Sequence, residues 1–118
     1  MSESFAQRIA QLDSYVKQLH GLAPEPVAAY GALSKKAQIP GALDGKTKEL
    51  IALAISVATR CEGCIAYHAR GAVRTGATRQ EVAEMLGVTL QMGGGPAMVH
   101  AADALRAYDE FADAAVKG

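Results

Sequence analysis

Leu50-Ile51-Ala52-Leu53-Ala54-Ile55-Ser56-Val57-Ala58, separated only by Thr59 and Arg60 from Cys61-Glu62-Gly63-Cys64-Ile65-Ala66-Tyr67-His68, decides how this chain folds. The first segment is apolar almost all the way round a helix, and a helix without a polar face is buried on every side. Asp44 caps this helix, which is expected to reach about Arg60. In 118 residues the other helices can hardly wrap it completely, so part of its cover is expected from another subunit. The alternative is the central helix of a monomeric bundle.

Outward from this segment the pattern stays helical. Half of the residues are apolar, aromatics are scarce and Ala is abundant. Ala has the highest helix propensity, and strand-like alternation is hard to find. A first helix is expected from about Ser4 to His20, with Phe5, Ile9, Leu12, Val16 and Leu19 at three- and four-residue steps and Gly21 as C-cap. Pro24 and Pro26 suit the opening turn of a second helix, Glu25 to Ala37, which Ile39-Pro40-Gly41 breaks. A fourth helix starts around Arg60 to Glu62 and ends near Gly76. Thr78-Arg79-Gln80-Glu81 is a capping box that opens a fifth, to about Met92. Gly93-Gly94-Gly95 forms a break, and Pro96 stands at N1 of a sixth helix to about Val116. With neither a preceding strand nor a following Lys-Ser/Thr, that triple glycine is no phosphate loop. The expectation is an all-α single domain, residues 1–118, of about six helices.

Composition narrows the function. Twelve basic residues balance twelve acidic ones, which argues against a nucleic-acid binder, because phosphate neutralisation needs a basic excess. No run of about 18 apolar residues could span a bilayer. Met1-Ser2-Glu3-Ser4-Phe5 lacks the basic and apolar regions of a secretory signal, so a cytoplasmic location is expected. In that reducing compartment a close cysteine pair is catalytic or metal-binding rather than structural.

At 100° per residue, Cys61, Cys64 and His68 fall within about 60° of one another on the fourth helix. The first turn of a helix stabilises a thiolate through its free N–H groups and dipole, and a thiolate is the form that attacks a peroxide or a disulfide. A neighbouring thiol then condenses with the resulting sulfenic acid. Glu49 lies on the face shared by Leu53 and Ser56. It is either a first-turn dipole partner or, if it points inward, a carboxyl fitted to pass protons. Structural zinc would require a second Cys/His pair, but no second cysteine pair exists, the remaining candidates are His68, Glu49 and the distant His20 and His100, and two Cys and a His on one helical face make poor tetrahedral geometry. Covalent haem attachment would require His where Ile65 stands. His20 and His100 read as ordinary surface or core residues. No cofactor is expected.

The pattern Glu49, eleven residues, Cys61, two residues, Cys64, three residues, His68 resembles the signature of the alkyl hydroperoxidase D (AhpD)-like proteins of the carboxymuconolactone decarboxylase family. Leu43 to Ile51 and Ala72 to Gly87 extend the likeness, which covers roughly Ala37 to Tyr108. The resemblance implies an all-helical homo-oligomer, trimeric or hexameric, with the site near subunit contacts. It implies reduction of a small hydroperoxide, with Cys64 as the peroxidatic cysteine, Cys61 as its partner and proton donor, and Glu49 and His68 as a proton relay. Electrons would come from a dihydrolipoyl protein or another thiol reductant. The dipole argument alone would favour Cys61, nearer the helix start, as the more acidic thiol; the resemblance selects Cys64. Two other functions stay open: a lyase on a small lactone acid with His68 and Glu49 as acid and base, and a non-enzymatic oligomeric thiol sensor.

Overall fold

A computed structural model describes residues 3–118, leaving Met1 and Ser2 of the amino-terminal reading outside them. Among the described residues six helices and no strand occur: α1 (Phe5–Leu22), α2 (Pro24–Ala37), α3 (Gly45–Ala58), α4 (Glu62–Arg74), α5 (Arg79–Gly93) and α6 (Gly95–Lys117). The all-α expectation holds.

Local chemistry sets most of the boundaries. Ser4 Oγ accepts from the Gln7 amide at 3.0 Å while the Ser4 amide donates to Gln7 Oε1 at 2.7 Å, a capping box that starts α1. Asp44 Oδ1 accepts from the Thr47 amide at 2.8 Å, and Thr78 and Glu81 cap each other reciprocally at the start of α5. Such a cap stabilises a helix by about 1 kcal/mol.

Three ends differ from the sequence expectation. Gly21 does not stop α1, which runs on to Leu22; the break falls at Ala23, φ −138° and ψ 67°, because the residue before a proline is disfavoured in the helical region. α3 ends at Ala58 rather than Arg60. Arg60 turns left-handed at φ 57°, its amide donates to the Val57 carbonyl at 3.1 Å, and the Cys61 amide donates to the Ser56 carbonyl at 3.0 Å. That pair of bonds is a Schellman closure, here with arginine where glycine is usual. The break before α6 is Gly94 alone, at φ 67°, since Gly93 completes α5 and Gly95 opens α6.

α4 lies among α1, α3 and α6, and α6 also carries α5. Leu53, Val57, Ile65 and Val82 are the largest fully buried side chains, and burial of each stabilises by roughly 1.5–3 kcal/mol. Ala69 and Ala72 of α4 and Ala104 and Ala107 of α6 are fully buried too, and their small side chains let the two helices approach closely. The Tyr108 hydroxyl donates to the Ala77 carbonyl at 2.6 Å and ties α6 to the α4–α5 link.

The apolar stripe along α1 is buried over its first half only. Ile9 is buried and Phe5 and Leu12 are half-buried, but Val16 and Leu19 are exposed. Beyond Asp13, α1 is exposed to its end and pairs with α2, which packs on α1 and buries none of its own residues. Leu22 (86% exposed) and Tyr30 (70%) lie on this hairpin. α3 is likewise covered on one side only: Leu53, Ser56 and Val57 are buried while Ile55 is 56% exposed. No helix of the described residues is long and apolar enough to cross a membrane.

Candidate active site

The turn between α3 and α4 is short, so the two helices run back along each other as an antiparallel hairpin. Glu49 lies about ten residues before the turn and His68 about eight after it, so the fold-back brings them side by side. His68 Nδ1 and Glu49 Oε2 are 2.9 Å apart. An ionised carboxylate only accepts hydrogen bonds, so whenever Glu49 is ionised the donor of this bond is His68 Nδ1. The Glu49 side chain is 15% exposed and that of His68 33%, which leaves the imidazole as the wetter member of the pair. The Glu49 side chain points inward and lies beyond the first turn of α3, which holds no acidic residue.

Cys61 stands just outside α4 as its N-cap, with extended backbone at φ −97° and ψ 97°. Its sulfur accepts from the Cys64 amide at 3.3 Å, occupying the position a serine or aspartate oxygen takes in other helices. Cys64 lies in the first turn, where free N–H groups and the dipole favour a thiolate. The two sulfurs are joined in a disulfide with Cα atoms 5.2 Å apart. His68 follows Cys64 by one turn on the same helix. All four candidate residues therefore lie on the α3–α4 hairpin: the Cys61–Cys64 disulfide at its turn and the Glu49–His68 pair farther along the two helices.

α1 crosses this helix on a side the motif does not reveal. The Tyr67 hydroxyl donates to the Asp13 carboxylate. Burial, then this bond, pushes the phenol up to about 12. Leu12 packs against Gly63, between the two cysteines, so closely that a Cβ there would meet Leu12 Cδ1 at 2.6 Å. The Glu49 carboxyl lies against Gly71, one turn beyond His68. Sequence reasoning missed Gly71, Gly63, Leu12, Asp13 and Tyr67; a glycine in mid-helix without a capping role was the one available signal.

His20 sits in the last turn of α1 and is exposed. His100 is half-buried on α6, its Nδ1 without a hydrogen-bond partner. No hydrogen bond found among the described residues links either to the Glu49–His68 pair. No group of three or more His, Cys, Asp or Glu able to hold a metal occurs among them.

Residues 24–107 match the model of the carboxymuconolactone decarboxylase family. A crystal structure of a family member from Legionella pneumophila in its apo form superposes with a TM-score of 0.89 at 41% identity, covering 92% of this chain and 96% of that one. A Thermotoga maritima member, for which involvement in the antioxidative response has been suggested, superposes with a TM-score of 0.83 at 28% identity, over 93% of this chain and 94% of that one. An uncharacterised protein of Cupriavidus necator is 33% identical over 109 residues, 92% of this chain and 96% of its own length.

Proposed function

The chain belongs to the carboxymuconolactone decarboxylase family, and we propose that within it this protein is a thiol-dependent hydroperoxide reductase. The observation that carries this reading is the Glu49–His68 pair, closed at 2.9 Å, on the hairpin that also holds the Cys61–Cys64 couple. A dithiol supplies the two electrons a peroxide consumes, and the pair supplies a path for the protons.

In the reduced protein the Cys64 thiolate attacks the terminal oxygen of a small hydroperoxide. The S–O bond forms, the O–O bond breaks, and the departing alkoxide takes a proton delivered from Cys61 through His68. Cys64 is then a sulfenic acid. The Cys61 sulfur attacks it, the S–S bond forms, and the hydroxyl leaves as water on taking from His68 the proton that Cys64 gave up on ionising. The dithiol has lost two electrons. A dihydrolipoyl protein or another dithiol returns them with two protons, passing through a mixed disulfide. Glu49 holds the His68 ring and stabilises its charged form while the proton is in transit.

The same reading includes a homo-oligomer, trimeric or hexameric. The exposed apolar residues of the α1–α2 hairpin support it, as does the open side of α3, where Ile55, Val88 and Met92 edge a groove of about 360 Å³.

Thiol titration before and after addition of a hydroperoxide tests the redox assignment. Both thiols of the reduced protein should disappear together, and Cys64→Ser should abolish turnover. A lactone-opening activity retained by the Cys61→Ser/Cys64→Ser protein would replace this reading with the lyase, which needs only Glu49 and His68. Reversible oxidation without turnover under any dithiol donor would leave a thiol sensor.

A further inference from the structure

We infer that Gly71 is a positioning residue for the Glu49–His68 pair, the space left by its missing side chain being the seat of the Glu49 carboxyl. The inference deepens the function proposed above and rests on that reading for its rate prediction, though not for its geometry.

Gly71 lies in the interior of α4, three residues beyond His68 and on the adjoining face. Glycine is disfavoured in such a position, because it loses more conformational freedom on folding than alanine. The backbone gives no reason for it: positive φ is confined to Arg60, Gly76 and Gly94 among the described residues. Space does give one. A Cβ at position 71 would come inside van der Waals separation of all three terminal atoms of Glu49, with Oε1 at 2.8 Å and Oε2 and Cδ nearer still. Carbon atoms rest near 3.5–4.0 Å. The carboxyl therefore occupies the space where a side chain at position 71 would begin.

The obstructing atoms are the end of a flexible side chain and not backbone, so an alanine at 71 is accommodated by moving Glu49. The displaced oxygen Oε2 is the one bonded to His68. The fold survives while the proton relay opens. Gly87, in α5, provides the contrast, since a Cβ there meets nothing within 4 Å.

The test uses the 15N-labelled full chain with Gly71→Ala, Glu49→Ala, the double variant, and Gly87→Ala as the helix-propensity control. In Gly71→Ala the ring-nitrogen resonances of His68 should move to their positions in Glu49→Ala, while Gly87→Ala keeps the parent spectrum. Peroxide-driven thiol consumption should fall about tenfold or more in Gly71→Ala, within what general acid–base groups contribute. The double variant should match Glu49→Ala, since with the carboxyl gone Gly71 has nothing left to position. Parent-like His68 resonances in Gly71→Ala, or a further loss in the double variant, would overturn the inference. If the parent protein consumes no peroxide, the proposed function fails, and the His68 resonances still decide the role of Gly71.

Discussion

Replacing Glu49 with glutamine keeps the shape of the side chain and removes its charge, so it isolates what the carboxylate gives to His68. The bond at stake is a charge-assisted hydrogen bond at 2.9 Å with a carboxyl only 15% exposed. Bonds of this kind are worth about 1.5–3 kcal/mol when one partner is charged. At about 1.36 kcal/mol per decade of rate, complete expression of that energy in the proton-transfer step corresponds to a loss of roughly 10- to 150-fold. Water can reach His68 through its exposed third and offset part of the lost charge, which favours the lower half of that range. The assay is a single-turnover, stopped-flow measurement of thiol loss in the reduced protein under excess hydroperoxide, with thermal unfolding recorded on the same preparations. The expected result is a rate loss of at least about tenfold with the fold intact. A loss under about threefold would refute the reasoning and leave Glu49 as a support for the imidazole with no part in moving protons.

Tyr108→Phe should leave the Ala77 carbonyl buried and unpaired, at a cost of about 1–3 kcal/mol. For 118 residues this is a fall of roughly 4–12 °C in the unfolding midpoint; a shift under about 2 °C would contradict it. Arg79→Met should flatten the acid limb of the stability curve. Arg79 holds the Asp109 carboxyl below its ordinary value of 3.8, so the stabilisation is complete above that value and is lost as pH falls through the lower, folded one. Parent and variant should thus differ at pH 6 in chemical denaturation and converge toward pH 2. Leu19→Glu with Tyr30→Glu on the α1–α2 hairpin should lower the mass measured by light scattering toward the 12.3 kDa of one chain. An unchanged multiple of that mass would move the subunit contact elsewhere, such as the open side of α3.

What could be read from the residues divides by range. Asp44, Thr78 and Glu81 announced their helices because a cap is a bargain among neighbours three residues apart. The pairing of Glu49 with His68 came from the family resemblance alone; its physical reason is that a tight turn between two helices folds positions nearly equidistant from it onto one another. The stripe from Phe5 to Leu19 was legible as a helix but not in its burial, because periodicity says that a face is apolar and nothing about what covers it. Gly21 looked like a stop, yet the steric demand of Pro24 on Ala23 fixed the true end two residues later. Arg60 could not be foreseen in a left-handed turn, which the Schellman bonds of the flanking residues impose. Gly71 and the Tyr67–Asp13 bond depend on which helix lies across α4, and no local pattern encodes that.

Cys61 is at once the N-cap of α4 and one of the two sulfurs of the couple. By linkage, whatever the amides at the start of α4 contribute to stabilising a negative sulfur must return in equal measure as stability of α4 when that sulfur is ionised. Reactivity and helix integrity therefore share a single thermodynamic account. In the proposed cycle Cys61 is ionised once its proton has gone to the alkoxide, so it holds the helix start most firmly at the step in which it attacks the Cys64 sulfenic acid. In the disulfide the Cys61 sulfur still accepts from the Cys64 amide, so the oxidised couple leaves the start of α4 capped.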